Sequence, residues 1–353
     1  MKTILIILDG ISENKINLLN NKSPLEYAFT PTLDLIKSQG FHCKTKFHHS
    51  KKSANSLNCI SKIIGLKGKN IPKHRSYLES LTYDIPVNDD EWVLRCNLIS
   101  MKENKLHSFN SIGMTKNEKK CLSKTIHIPE GLKYYHLNDY KNLLIIKSKR
   151  NFNHLSGFYP HENIGENLTQ YINKVHAIDT LKDFMENNKK HINGIDYMYL
   201  PWGPSKPFDI PTFHSLHNKS AFSVSHTELV KGLFKKMNIK SVQLNNSTGD
   251  IDTDLVEKTN AVINNYDKHD VTITHINGTD EVSHRKNLTG KINFIKKIDK
   301  EVLKPIYQSI GKNVKIIILS DHQTSSLTGE HEPGFVDLIC NKKNINKNNL
   351  FKE

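Results

Sequence analysis

The chain has 353 residues, too many for one small domain and suited to two. Its 37% hydrophobic content is low but enough for a core at this length, with a mean hydropathy of −0.53 and a net charge of +14. That charge is Lys spread along the whole chain with no dense block, and Arg occurs only at Arg75, Arg95, Arg150 and Arg285, which argues against a nucleic-acid reader; no run approaches the ~20 apolar residues of a membrane span.

Residues 3–8, uncharged and apolar, read as a fully buried strand running into Asp9-Gly10. The run is too short for a signal peptide. Ser23-Pro24-Leu25-Glu26 combines an N-cap, a Pro at the first helical position and a Glu at the third, so a helix starts there. Thr30-Pro31 interrupts or restarts it, and the second piece, 32–38, stops at Gly40. Residues 53–64 read as a helix stopped by Gly65, with Leu57, Ile60 and Ile64 on one face. From 67 to 194 the strands shorten (92–99, 143–146), Lys/Asn/His turns become dense, and a helix over 181–187 comes near the end. Regular alternation returns at Tyr197, with strands over 197–200, 221–224, 271–276, 314–319 and 335–340 and helices over 227–237, 253–263 and 291–309. Strands alternating with helices predict a mostly parallel sheet covered on both faces. The expected fold is therefore α/β, a mostly parallel central sheet flanked by helices with a smaller α+β insert. Residues 1–66 and 195–353 form a discontinuous larger domain and 67–194 the insert. The Lys/Asn-rich tail from Asn341 is expected to be solvated, and Trp202 to pack between the domains.

The five cysteines are odd in number and lack a CxxC pairing, which predicts reduced thiols, core positions and a cytoplasmic protein. Among so many Lys, the four Arg positions mark places where a fork-shaped donor can grip a carboxylate or phosphate.

Three apolar runs end in metal-ligand side chains. The first delivers Asp9, the 271–276 strand leads to Asp280-x-x-x-His284, and the 314–319 strand leads to Asp321-His322, with His331 nine residues beyond. Carboxyl ends of parallel strands face the crevice in which α/β enzymes bind substrate. Six Asp and His residues there suit two divalent ions. Carboxylate mixed with imidazole favours Mn²⁺ or Zn²⁺ over Ca²⁺. Two such ions clamp a phosphoryl group and lower the pKa of a coordinated hydroxyl, which makes Ser or Thr a nucleophile. A helix N-terminus favours the anionic phosphate. Ser56, in the opening turn of the 53–64 helix after the basic stretch 48–52, and its neighbour Ser53 both qualify, and spacing does not choose between them.

The residues resemble the archaeal-type cofactor-independent phosphoglycerate mutases of the alkaline phosphatase superfamily. The matching stretches are Ile7-Leu8-Asp9-Gly10, Ser23-Pro24-Leu25-Glu26, Thr30-Pro31-Thr32-Leu33-Asp34, Arg95-Cys96-Asn97, Pro160-His161, Pro201-Trp202-Gly203, Leu229-Val230-Lys231-Gly232, Thr248-Gly249-Asp250, His275 to His284, Asp321-His322 and His331. They follow the family's order over nearly the whole chain. The resemblance implies a transiently phosphorylated Ser56 that also binds metal. It implies one cation on Asp280, His284 and His331 and another on Asp9, Ser56, Asp321 and His322, with Mn²⁺ first and Zn²⁺, Mg²⁺ or Co²⁺ as alternatives. It implies Lys231 on the transferring phosphate, and Arg75, Arg95, His161 and, in a segment that departs from the family, Lys141 as substrate-binding positions. The activity implied is interconversion of 3- and 2-phosphoglycerate, on a small phosphorylated carboxylate, without nucleic acid or membrane.

The sequence departs from the family at Leu57, which stands where Asp usually follows the nucleophile. It departs also at Tyr140-Lys141-Asn142, against a Tyr-Arg-His pattern, and at Glu162 after Pro160-His161. A Lys does not reproduce the bidentate grip of Arg. An intact reaction centre with an altered insert also fits a mutase or phosphatase for another small phospho- or phosphono-carboxylate. A basic binding protein with a structural metal site is the alternative from another class, and the presence of Ser56, Asp9 and Asp321-His322 together disfavours it. His275 reads equally as a support to the ligands or as a core histidine.

Overall fold

The structure, a computed structural model, describes residues 1–48, 50, 54–346 and 349–352. Ser53 and most of the basic stretch before it (His49, Lys51, Lys52) lie outside the described residues, as do Lys347, Asn348 and Glu353. Contacts divide the chain into two units, Met1–Lys73 with Asp209–Glu353, and His74–Phe208. No helix among the described residues is long and apolar enough to cross a membrane.

The first unit is built on a seven-stranded sheet. In spatial order its strands are Lys240–Ser241, Ala221–Val224, Val271–Ile276, Thr3–Leu8, Lys315–Leu319, Val336–Cys340 and Phe41–Thr45. The first five are parallel, and the last two add antiparallel pairings at one edge. The α/β expectation holds, with a mixed sheet. Full burial of an Ile or Leu side chain stabilises by about 1.5–3 kcal/mol. The run Thr3–Leu8, every residue of it buried, therefore takes the centre. Phe41–Thr45, alternately half-buried and exposed, takes the edge; its short polar run carries little strand signal. Ile4, Ile6 and Leu8 pack with Leu33, Ile36, Ile295 and Ile306 from the covering helices.

Local signals placed the helices well. Ser23 caps Pro24–Tyr27 through a reciprocal box with Glu26, at 3.2 and 2.8 Å, worth about 1 kcal/mol. The next helix is Pro31–Gln39, ending at Gly40. Thr30 makes no side-chain cap there; Asp299 supplies it, accepting from the backbone N–H of Leu33 and Thr32 at 2.8 and 3.2 Å. Asn55 caps the Ser56–Ile63 helix. The helix expected over 291–309 is divided into Leu288–Ile298, a π-helical turn Asp299–Leu303, and Lys304–Ile310. Pro305 has no N–H to give the Glu301 carbonyl, and that carbonyl accepts from Thr259 Oγ1 instead, at 2.8 Å.

The second unit holds an antiparallel six-stranded sheet. Leu132–Asn138, Lys141–Lys147, Glu91–Lys102, Ile195–Ser205 and Lys190–Ile192 follow in order, and Lys105–Ser108 also pairs with Glu91–Lys102. The strand expected over 197–200 in the larger sheet belongs here. Asn193-Gly194, with φ of 50° and 75°, closes a two-residue hairpin between Lys190–Ile192 and Ile195–Ser205. Asn-Gly is the preferred sequence for that turn, and it ties the strand to the unit before it. Trp202 is not a domain spacer. It is 1% exposed in this unit's core, donates to Asn97 Oδ1 at 2.9 Å and lies under the Arg95 guanidinium.

The tail is not wholly solvated either. Leu350 and Phe351 are buried, Phe351 against Phe213 and His217, and Lys315 Nζ donates to the Leu350 carbonyl. Two apolar side chains outweigh the polar composition around them. Cys59, Cys96 and Cys340 are buried as expected of core thiols, while Cys121 is exposed.

Candidate metal centre

The strands Thr3–Leu8, Val271–Ile276 and Lys315–Leu319 are in register at their carboxyl ends, Leu8 opposite Ile276 and Ile7 opposite Leu319. The residues that follow each strand therefore converge. Asp9 follows directly. Asp280 and His284 lie on the helix Gly278–His284, four apart and on one face. Asp321 and His322 begin the loop after Lys315–Leu319, and His331 stands on the ribbon strand His331–Glu332.

His322 Nε2 lies 3.3 Å from Asp9 Oδ1, 3.3 Å from Asp321 Oδ2 and 3.2 Å from Ser56 Oγ. Ser56 Oγ donates to Asp9 Oδ2 at 3.3 Å. Asp280 meets His284 Nε2 at 3.1 Å through Oδ2 and His331 Nε2 at 3.4 Å through Oδ1. The structure thus brings together all seven residues expected to bind metal. Two triads have ligand atoms within 4.8 Å of one another, Asp280/His322/His331 and Asp9/Asp321/His322. His322 belongs to both, so it stands between the two ligand sets implied by the family resemblance.

These residues fit divalent cations. Asp9, Asp321 and His322 are fully buried. Asp9 Oδ1, Asp321 Oδ2 and His331 Nε2 are buried atoms without a hydrogen-bond partner among the described residues. An unsatisfied buried polar group costs about 1–3 kcal/mol, and more when charged. Burial together with the neighbouring carboxylates pushes Asp9 well above the usual carboxyl range, and burial with Asp280 pushes Asp321 up to about 7. Burial would raise Asp280 too, but His284 and His331 outweigh it and hold Asp280 well below that range. Burial, with His331, pulls His322 down to about 3, so its ring is neutral, the form that ligates metal. Crowded carboxylates, with the neutral His322 ring among them, form the electrostatic environment that a divalent cation stabilises.

The ligands are held from behind. His275 Nε2 is 2.9 Å from Asp9 Oδ2. Burial, with Lys258, lowers His275 to about 3, so the neutral ring donates to the carboxylate. Thr279 Oγ1 donates to the Asp9 carbonyl. Asp321 Oδ1 accepts from Gly10 N at 3.2 Å and His322 N at 2.9 Å. His284 Nδ1 lies 2.7 Å from the Gly329 carbonyl, which leaves Nε2 facing Asp280. Burial would lower His284, but Asp280 and the Gly329 carbonyl outweigh it and raise the ring to about 9. The Thr324 hydroxyl lies 2.6 Å from Asp280 Oδ1 and 3.2 Å from His322 Nδ1. Sequence reading missed Thr324 and Gly329, which match no ligand spacing; only proximity identifies them.

The other expected site residues are not among these seven. Lys231 is on the helix Glu228–Lys236, and no hydrogen bond among the described residues joins it to the ligands. Arg75, Arg95, Lys141 and His161 belong to the second unit. There Arg75 Nε and Arg95 Nε bracket the buried Glu79 carboxylate at 2.7 and 2.9 Å. Lys141 opens the strand Lys141–Lys147, opposite Asn97. His161 sits on a 3₁₀ turn against Phe109 and Tyr159. Arg285 does not face solvent alone; it grips Asp250 with two hydrogen bonds of 2.6 and 2.5 Å. Three of the four Arg thus meet carboxylates of the protein itself.

A family model described as the metalloenzyme superfamily matches residues 1–353. The chain is 23% identical over 342 residues to the 2,3-bisphosphoglycerate-independent phosphoglycerate mutase of Methanothrix thermoacetophila, covering 92% of this chain and 86% of that one. It is 24% identical over 361 residues to the enzyme of that name from Pyrococcus furiosus, covering 96% and 87%. Among solved structures it is similar to the PH0037 protein from Pyrococcus horikoshii, with a TM-score of 0.75, 20% identity and coverage of 96% and 87%. It is also similar to the cofactor-independent phosphoglycerate mutase from Thermoplasma acidophilum, with a TM-score of 0.57, 16% identity and coverage of 96% and 89%. The two structures show a shared fold.

Proposed function

The chain belongs to the metalloenzyme superfamily, and we propose that it transfers a phosphoryl group through Ser56, interconverting 3-phosphoglycerate and 2-phosphoglycerate. The observation that carries this reading is the position of Ser56 Oγ, within 3.2–3.3 Å of the His322 imidazole and the Asp9 carboxylate. A half-buried hydroxyl set among such carboxylate and imidazole groups is placed as a nucleophile, whereas a plain helix cap has no need of them.

Ser56 is the first residue of its helix, with Asn55 as the cap, so the helix dipole favours the transferring phosphate there. Two divalent cations, Mn²⁺ first, on Asp9, Asp280, His284, Asp321, His322 and His331 with Ser56 would neutralise the phosphoryl oxygens. In the first half, Ser56 Oγ forms a bond to phosphorus while the bond from phosphorus to the substrate's 3-oxygen breaks and that oxygen takes up a proton. The Ser56 hydroxyl proton is directed at Asp9 Oδ2. In the second half the 2-hydroxyl oxygen forms a bond to phosphorus and gives up its proton, while the bond from phosphorus to Ser56 Oγ breaks and that oxygen takes a proton back from the Asp9 side. Lys231 is proposed as a contact to the phosphate. Arg75 and Arg95, pre-oriented by Glu79, are proposed as binders of the carboxylate in their own unit, with Lys141 and His161. Most of the rate enhancement of such a reaction comes from positioning and charge neutralisation. The names of the archaeal relatives support the same activity.

One observation favours a different small phospho- or phosphono-carboxylate. Asn142, where the resembling family has His, is 2% exposed and spends its amide on Tyr134, His136, Cys96 and Tyr140. It is a structural residue, so the segment that departs from the family pattern is turned inward at this position. Incubation of Mn²⁺-loaded protein with 3-phosphoglycerate separates the readings. Formation of 2-phosphoglycerate supports the mutase, free phosphate alone supports a phosphatase, and no turnover of bound metal protein rejects this substrate.

A further inference from the structure

We infer that Thr324 is a positioning residue that couples the two metal sites, its single hydroxyl setting both the Asp280 carboxylate and the His322 ring. This rests on reading the Asp/His cluster as a two-cation centre. The hydroxyl has one proton, and Asp280 Oδ1, at 2.6 Å, takes it. Its lone pair then faces His322 Nδ1 at 3.2 Å, so that nitrogen carries the proton and Nε2 is left as the ligand atom. His322 Nε2 is the atom that faces Asp9, Asp321 and Ser56. Thr324 also stands directly opposite His331 in the ribbon of Gln323–Thr324 and His331–Glu332. One residue therefore contacts two members of the Asp280/His322/His331 triad and pairs in register with the third.

Thr324 is itself held on both sides. Its N–H donates to the Ser12 carbonyl at 3.2 Å. Its carbonyl accepts from Lys291 Nζ at 2.7 Å, and that ammonium pairs with Glu13 Oε2 at 2.8 Å. Lys291 and Glu13 are 0% and 3% exposed, and the other Glu13 oxygen accepts from Ser326 N at 2.8 Å and Ser326 Oγ at 3.0 Å. Such a buried ion pair is a poor source of stability but a stiff brace. Gly10 allows the close packing: a Cβ there would lie 2.5 Å from Thr324 Oγ1 and 2.7 Å from Asp280 Oδ1. The loop carrying Asp9-Gly10 and the loop carrying Thr324 are thus fitted to each other around this hydroxyl.

The test is titration of the full-length metal-free protein with Mn²⁺ and with Co²⁺ alone, read by calorimetry and by the visible absorption of bound Co²⁺. Thr324→Val keeps the shape and removes the hydroxyl. It is expected to weaken cation binding on the order of 10–100-fold and to change the Co²⁺ spectrum. Thr324→Ser restores the hydroxyl and is expected to return both readouts close to wild type. If the valine variant does not fold by circular dichroism, Thr324→Ala carries the same expectation. Wild-type affinity and spectrum in a folded variant without the hydroxyl overturn the inference and leave the metal centre standing, as does failure of Thr324→Ser to rescue. A wild-type protein that binds neither cation overturns both.

Discussion

Ser56 Oγ and His322 Nε2 lie 3.2 Å apart across a sequence separation of 266 residues. Through this contact the helix Ser56–Ile63 meets the loop after Lys315–Leu319. Ser56→Ala is expected to abolish phosphoryl transfer while circular dichroism and the melting temperature stay near wild type. Substrate-quenched wild-type protein should yield a Ser56 phosphopeptide by mass spectrometry. Turnover by the alanine variant would sink the covalent mechanism.

Chelation is expected to remove activity, and Mn²⁺ to restore it. It should also lower the melting temperature, because the cations bind the assembled ligands and not the unfolded chain. At 100 times its dissociation constant each ion stabilises by about 2.7 kcal/mol. Differential scanning calorimetry with and without chelator measures this, and an unchanged transition would count against bound cations.

Asp337 accepts from His42 Nε2 and Lys44 Nζ, each at 2.9 Å, and from Ser12 Oγ at 3.0 Å. Burial would raise its carboxyl, but His42, Lys44 and Ser12 outweigh that and hold it below the ordinary 3.8. A lowered folded-state pKa gives stability that is present above 3.8 and lost as pH falls through the folded value. Asp337→Asn is expected to cost about 1.5–3 kcal/mol at neutral pH, and less below roughly pH 4, where wild type loses the same contribution. Urea titrations across that range check both parts; a cost independent of pH would contradict the charge assignment.

Lys291→Met leaves Glu13 charged and buried, and deprives the Thr324 carbonyl of its donor. The expected loss is about 3–5 kcal/mol by urea unfolding. A loss under about 1 kcal/mol would mean that the pair is hydrated in solution.

Local chemistry made much of this protein legible. The Ser23/Glu26 capping box, Pro31 at a helix start and the uncharged run at 3–8 each act over a few residues, and each element formed where its signal lay. The strand at 197–200 was legible but assigned to the wrong sheet, because burial alone does not name a partner, while Asn193-Gly194 does. The buried Leu350 and Phe351 were hidden in a polar composition, since a window average conceals two apolar side chains that find a groove.

By itself the sequence determined the parallel core strands and the Asp and His residues placed beyond their carboxyl ends, because apolar periodicity and residue type are local properties. Tertiary structure alone decided how those residues share their work. It set His322 between both triads and put His275 behind Asp9. It brought Thr324 to Asp280 and turned Asn142 inward. Each of these depends on distances between chain segments that no spacing encodes, fixed when buried polar groups must find partners.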